Sequence, residues 1–257
     1  MIKLSVVIIT YNEEKNVGRC LDSVIKIADD IVVVDSYSTD KTEEICKSKS
    51  ARFFKYPFEG YIESKNYANT QAKYPYILSL DADEALSDEL KKSILAVKKS
   101  WNFDGYSMNR LANYCGKWIR HGGWYPDRKL RLFDRRKGKW DGLLVHETYQ
   151  MDDKSKSGFL KGDLLHYTYY SIDEHIKQAD HFSTLSAKEY YSQGKKSGYL
   201  KLFLNPVVKF LRDYFFRLGF LDGSFGFIIA KINAHTTFLK YSKLRMLCRA
   251  NKKHISE

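Results

Sequence analysis

Residues 76–85 read YILSLDADEA, an apolar run that stops on three acids, Asp81, Asp83 and Glu84. What precedes this run decides the fold class. "LSVVII" (residues 4–9) is β-branched, continuous and too short for a helix, so it reads as a strand buried on both faces. "IVVVD" (31–35) and "ARFFKYPF" (51–58) read as two further strands. Between the first two, "NEEKNVGRCLDSVIKIA" places Val17, Cys20, Leu21, Val24 and Ile25 at helical spacing, with Asn12 as the N-cap. "STDKTEEICKS" reads as a short capped helix and "IESKNYANTQAK" as a polar one. Strands separated by helix-length segments imply βαβ units, right-handed crossovers and a mainly parallel sheet of the α/β, Rossmann-like class.

In such sheets a ligand sits at the carboxyl ends of the strands. The residues just past those ends are Thr10, Tyr11, Asn12 and Glu13, then Asp35 and Ser36, then Asp81, Ala82, Asp83 and Glu84. Any one of these groups alone is ordinary turn chemistry. Three together mark a site.

Composition bounds the rest. With 257 residues, 44% of them hydrophobic, and only four prolines, the chain can bury one large domain, or one domain with an appendage. The formal net charge of +12 favours polyanions: nucleic acid, anionic lipid head groups or phosphorylated substrates. Cys20, Cys46, Cys115 and Cys248 are far apart with no CxxC pair, which points to reduced thiols. The apolar start is too brief for a signal-peptide core, and no stretch reaches the roughly 20 apolar residues of a spanning helix. The expectation is a cytoplasmic protein whose attachment to a membrane is peripheral.

There is no GxGxxG after the first strand and no GxxxxGK[ST], so dinucleotide and P-loop sites lack their phosphate-cradling turn. A divalent cation on carboxylates is the usual substitute, because Mg²⁺ and Mn²⁺ take oxygen ligands and bridge to phosphate. "LSVVIITYNEEKNVGRCLDSV", "IVVVDSYSTDKT" and "YILSLDADE" resemble the inverting family 2 glycosyltransferases of GT-A fold over roughly the first hundred residues. The resemblance implies a sugar-nucleotide donor, with Asp81 and Asp83 as the DxD element carrying Mn²⁺ or Mg²⁺. Asp83 is the first choice for the metal. It implies that Thr10, Tyr11, Glu13 and Asp35 bind the nucleoside. The family's "DDGS" turn is "DSYS" here, so Ser36 stands where a second acid is usual.

Residues 104–170 are rich in aromatics and arginine, and "KLRLF" alternates as a strand would. "HGGWYPDRKLRLF" followed by "KWDGLLVHE" resembles a subgroup that includes lipopolysaccharide core glucosyltransferases. Inverting transfer needs a base for the acceptor hydroxyl, commonly a carboxylate. Glu147 is the first candidate and Asp127 the rival, with His146 placed to orient Glu147. His166 is either a further metal ligand, as in several GT-A enzymes, or a hydrogen-bonded histidine among Tyr167, Tyr169 and Tyr170. Trp124 and Tyr125 stack on the sugar or acceptor, or else Trp124, like Trp118 and Trp140, is core. Arg128, Lys129 and Arg131 either meet an anion or form a solvated strand face.

After residue 171 the pattern turns helical. Ile172, Ile176, Ala179, Phe182 and Leu185 fall near helical spacing, with Ser171 and Glu174 as a capping box. From Lys195 to Lys253 there are thirteen Lys or Arg against Asp213 and Asp222, interleaved with aromatic and aliphatic residues. Basic amphipathic helices of this kind lie on anionic membranes. "LGFLDGSFGF" also resembles the C-terminal extension of the lipopolysaccharide-core subgroup. The expected organisation is a GT-A domain over 1–170, split into a nucleotide-sugar half (1–103) and an acceptor half (104–170), followed by a helical, membrane-associating extension over 171–257. The expected enzyme transfers a hexose from UDP to a membrane glycolipid or polysaccharide of the bacterial envelope. A nucleotidyltransferase would need a glycine-rich basic loop where "TYNEEKNVG" stands. A nucleic-acid module would place phosphates against acids at three strand ends.

Overall fold

The computed structural model describes residues 1–143 and 146–254. Its first half alternates β1 (Leu4–Thr10), α1 (Val17–Val24), β2 (Asp30–Asp35), α2 (Thr42–Ser48), β3 (Arg52–Lys55), α3 (Tyr61–Gln71) and β4 (Tyr76–Asp81). Then follow β5 (Glu84–Leu86), α4 (Asp88–Lys99), β6 (Gly105–Tyr114), β7 (Lys117–Ile119), β8 (Asp127–Asp134), β9 (Gly138–Leu143), β10 (His146–Met151) and β11 (Ser157–Tyr169). Three helices close the chain: α5 (Ile172–Ser192), α6 (Tyr199–Leu211) and α7 (Gly223–His254).

Among the described residues, the main sheet runs β3-β2-β1-β4-β8-β6-β11-β5, with β7 beside β6. β3, β2, β1 and β4 are parallel, and β8 turns the sheet antiparallel against β4. β9 and β10 form a separate hairpin. The fold is GT-A: a mixed α/β sheet flanked by helices.

Side chains on β1 alternate between two cores. Leu4, Val6 and Ile8 join Val17, Leu21, Leu90 and Ile94 on one face, while Val7 joins Val32, Ile77, Ala68 and Phe133 on the other. Burial on both faces is why the strand is apolar throughout. Gly162, in β11, has φ +92°, and a Cβ there would lie 2.3 Å from the Leu90 backbone nitrogen. Only glycine lets β11 pass so close to the start of α4.

Two local expectations change. Asn12 does not cap α1, which starts at Val17; at φ 53° its side chain accepts instead from the Thr39 backbone N–H at 2.8 Å. The α5 face that packs inward is His175, Ala179, Ser183 and Ala187, whereas Ile172 and Ile176 are exposed. Ser171 does cap α5, accepting from the Glu174 N–H, and Glu174 reaches back to the Tyr170 N–H at 2.7 Å.

The chain divides into two compact units: residues 1–111 with 127–167, and residues 112–126 with 168–257. The expected boundary at 170 therefore falls near 167, and the segment 112–126, expected in the first domain, groups with the helices. The reason is its partners. In unit 2, Tyr114 is enclosed by Trp124, Tyr169, His175 and Phe225, so Trp124 belongs to this aromatic core. Asp222 clamps the same segment, accepting from the His121 N–H at 2.8 Å and facing His121 Nδ1 at 3.1 Å. A Cβ on Gly226 would collide with the Gly219 carbonyl, so glycine permits this turn to close.

His175 makes unit 2 pH-sensitive. Its Nδ1 lies 3.0 Å from the Tyr114 hydroxyl, and burial pushes its pKa down to about 4. The unfolded imidazole takes a proton below about pH 6.5, so unfolding binds more protons between these values and stability falls as pH drops from 6.5 to 4. The expected loss is on the order of 3 kcal/mol. Urea unfolding at pH 7 and pH 4.5 should show it in the wild type and much less in His175→Gln; equal pH dependence in both would remove His175 as the cause.

Candidate active site

β1 and β4 are neighbours whose connections leave in opposite directions, which makes the crevice outside their carboxyl ends the switch point of the sheet. At the end of β4 the chain turns tightly through Ala82 and Asp83 into β5. The turn is fixed at both ends: the Asp81 N–H donates to Glu84 at 3.0 Å, and the Ala82 N–H to the Ile9 carbonyl at 3.2 Å. Asp81 and Asp83 do not cap the following helix, because Ser87 does, accepting from the Leu90 N–H. The acids are left to other partners.

Asp81 faces two cations. Arg131 Nη2 lies 2.7 Å from one carboxylate oxygen and Lys65 Nζ 3.1 Å from the other. Burial alone would raise the Asp81 pKa, but Arg131 and Lys65 outweigh it and hold the carboxyl well below the usual range. Arg131 also meets the buried Glu84 at 3.1 Å, and Arg110 stands 3.7 Å from the same carboxylate. Arg131 is therefore buried, only 4% exposed, and its reading as part of a solvated strand face is overturned. A charge is tolerated there because two carboxylates face it.

Lys65 joins two predicted residues. It is 1% exposed, and its Nζ lies 2.8 Å from Glu147 as well as 3.1 Å from Asp81, with the Trp140 ring 4.6 Å away. Sequence reading missed it. The available signal was a row at helical spacing on α3, Ser64, Lys65, Ala68 and Asn69, three of them polar and all of them buried. Trp140 is core, packed with Phe133 and Tyr149.

Asp83 turns the other way. Its carboxylate lies 3.0 Å from His166 Nε2, a contact set by strand pairing: His166 is opposite Glu84, and the Tyr167 N–H donates to the Asp83 carbonyl. Burial opposes a charge on His166, but Asp83 outweighs it and raises the pKa. The pair Asp83 and His166 could hold a divalent cation. No group of three or more such ligands occurs among the described residues; an ion held by this pair would take its other ligands from phosphate and water. Asp81, committed to Arg131 and Lys65, stands behind it.

Of the nucleoside-side residues, Thr10 is buried at the end of β1, and among the described residues its hydroxyl lacks a hydrogen-bond partner. Such an orphan suits a site that a ligand completes. Tyr11 is exposed beside it. Asp35 is fully buried and accepts from both the N–H and the hydroxyl of Ser38, which fixes the loop after β2. Glu13 donates its backbone N–H to the Thr42 hydroxyl at 2.8 Å, and its carboxylate accepts from Asn16 at 2.7 Å; burial, with Asp83 and Asp40 adding to it, pushes its pKa up to about 7.

The two candidate bases differ. Asp127 is gripped by Arg110 at 2.8 Å and Lys129 at 3.1 Å, and although burial works the other way, those charges lower its pKa. Glu147 faces Lys65 at 2.8 Å and shares that ammonium with Asp81. The side chain of His146 lies outside the described part of the structure.

The sequence model described as "Glycosyl transferase family 2" matches residues 5–151, more than half of the chain. This protein belongs to glycosyl transferase family 2 and is a glycosyltransferase. Among its relatives, an uncharacterized glycosyltransferase of Rickettsia typhi is 32% identical over 96% of this chain and 88% of the relative. The lipopolysaccharide core biosynthesis glycosyltransferase LpsC of Rhizobium meliloti is 33% identical over 95% of this chain and 92% of its own length. The crystal structure of S. aureus TarS 1–349 aligns over 97% of this chain and 92% of that one, with 14% identity and a TM-score of 0.48.

Proposed function

We propose that this glycosyltransferase carries a hexose from UDP to a membrane glycolipid or polysaccharide acceptor in lipopolysaccharide or envelope biosynthesis, with inversion at the anomeric carbon. The observation that carries this reading is the grouping of Asp83–His166 and Glu147–Lys65–Asp81 around the ends of strands in unit 1. The likeness to LpsC over nearly the whole of both chains supports the setting.

In this reading Thr10, Tyr11, Glu13 and Asp35 receive the nucleoside, and Asp83 with His166 holds Mn²⁺ or Mg²⁺. Bound there, the ion supplies positive charge that offsets the charge building on the departing diphosphate. Glu147 accepts the proton of the acceptor hydroxyl as that oxygen attacks, and a single displacement gives the β-linked product. Lys65 holds the Glu147 carboxylate in place. Arg131 and Glu84 fix Asp81, and with it the turn that presents Asp83.

The membrane part of the reading rests on unit 2. No described helix is long and apolar enough to cross a membrane. Leu200 is 75% and Phe216 83% exposed, and Phe203, Val207, Val208 and Leu221 are each more than half exposed, amid the basic residues of 195–249. Apolar exposure of this extent marks a contact surface, and its basic surroundings suit the anionic inner face of the cytoplasmic membrane.

Calorimetry with UDP, GDP and ADP, with and without Mn²⁺, tests the donor site. UDP with Mn²⁺ is expected to bind the wild type, and Asp83→Ala to weaken that binding by at least about 100-fold, beyond the roughly 10–100-fold typical of groups that only support a metal ligand. Equal binding with chelator present, or by the variant, would remove the metal from the proposal.

A further inference from the structure

Within unit 2, α5, α6 and α7 enclose a groove of about 980 Å³, at the upper end of the range of roughly 300–1,000 Å³ typical of small-molecule sites. Its walls are apolar, with Leu202, Phe203, Val207, Phe210, Phe227 and Phe238 prominent. Three polar residues also line it: Asp180, Lys231 and His235. Asp180 is already held by Lys243 at 2.6 Å. Lys231 and His235 are one helical turn apart on α7, so they lie one above the other, and both are exposed. Lys231 approaches the Phe210 ring at 6.0 Å and has no carboxylate partner among the described residues.

The helix that forms one wall is unusual in composition. α6, YLKLFLNPVVKFL, is interrupted only by Lys201, Asn205 and Lys209, and Leu200, Phe203, Leu204, Val207, Val208 and Leu211 are exposed on it. Phe203 and Val207 belong both to the groove and to this exposed patch, so the two are continuous. A helix that is apolar nearly all round needs an apolar medium on more than one side.

Charge decides what that medium is. Residues 195–249 carry eleven Lys or Arg against Asp213 and Asp222. Both acids are buried: Asp213 sits against Lys209 at 2.5 Å and Arg212 at 3.1 Å, and Asp222 is turned to His121. The segment around the groove is thus cationic with its acids withdrawn. A second copy of this chain would bring like charges together, whereas an anionic lipid is attracted.

We propose that this groove takes one hydrocarbon chain of an anionic bilayer lipid, whose headgroup phosphate meets Lys231 and His235. The site goes beyond the transfer reaction and stands on unit 2 alone. It would let the surface lying on a bilayer draw a single chain between α6 and α7, with the apolar face of α6 in the head-group region.

The test uses the full chain with palmitoyl-lysophosphatidylglycerol below its micelle concentration, followed by native mass spectrometry. The expected result is one saturable lipid per chain. Ala234→Trp, which fills the groove, should weaken binding at least tenfold. Val207→Trp, at the exposed rim, should do the same, and keeps the test valid if Ala234→Trp fails to fold by circular dichroism. Lys231→Glu should weaken the phosphatidylglycerol lipid but not monopalmitoylglycerol, which has the same chain and no phosphate. Absence of saturable binding by the wild type, or unchanged binding by folded tryptophan variants, would overturn the proposal. So would a dimer in light scattering that either tryptophan variant makes monomeric, which would give the groove to a second copy. UDP binding measured on the same samples reads the donor site separately, so failure of one proposal is distinguishable from failure of the other.

Discussion

Glu147→Gln is expected to lower sugar transfer by about 10²- to 10⁴-fold while UDP binding changes little, the range that general-base catalysis contributes. The substitution keeps the shape of the side chain and an oxygen able to accept from Lys65, 2.8 Å away. It removes only the capacity to take a proton. Asp127→Asn provides the contrast. Asp127 is held by Arg110 and Lys129, which stabilise its charged form and make it a poor proton acceptor. Turnover of UDP-hexose with an extracted glycolipid acceptor, measured for both variants across pH, separates the roles. A large loss of turnover at every pH in Glu147→Gln, with a much smaller loss in Asp127→Asn, is the expected outcome. Near-normal turnover in that variant, with collapse in Asp127→Asn, would move the base to Asp127.

Arg131→Met is expected to destabilise unit 1 by about 3–5 kcal/mol, the usual cost of removing one partner from a buried ion pair. The guanidinium is the charge that Asp81 and the fully buried Glu84 share, at 2.7 and 3.1 Å. Without it, the fully buried Glu84 and the partly exposed Asp81 are left with Lys65 and the more distant Arg110 as the remaining cations. Urea unfolding followed by circular dichroism would measure the loss. Adding Glu84→Gln to Arg131→Met should recover part of it, because the second change removes one of the stranded charges. A loss below about 1 kcal/mol, the level of an exposed pair, would show that the network is solvated after all.

These two predictions separate chemistry from support. In the proposed mechanism Glu147 acts on the acceptor proton, and its loss should leave the fold intact. Arg131 acts on the turn between β4 and β5, so its loss should be felt first as stability and then as misplacement of Asp83. Lys65 lies between them, touching both Asp81 and Glu147.

The order of strands and helices through β4 was readable because each element carries its own signal. Continuous β-branched runs such as LSVVII can be buried on both faces only in the middle of a sheet, and the helix-length segments between them force parallel connections. The acids at the ends of β1, β2 and β4 were readable for the same reason: strand ends are local features, and in sheets of this class ligands sit beyond them. The DAD turn, His166 in a late strand and the basic helical segment likewise followed from local pattern.

Contacts between distant residues were decided only by the tertiary structure. Arg131 meets Asp81 across 50 positions of sequence, Lys65 meets Glu147 across 82, and His166 meets Asp83 across 83. No periodicity encodes such pairs, and by composition a lysine on a polar helix or an arginine on an alternating strand reads as a solvated charge. Residues 112–126 likewise look like a continuation of the first domain, until Tyr114, Trp124 and His121 find His175, Tyr169 and Asp222. The sequence determined which backbone elements form and where their polar ends gather. Which buried charges compensate one another, and which helix faces stay bare, depended on the packing of side chains far apart in the chain.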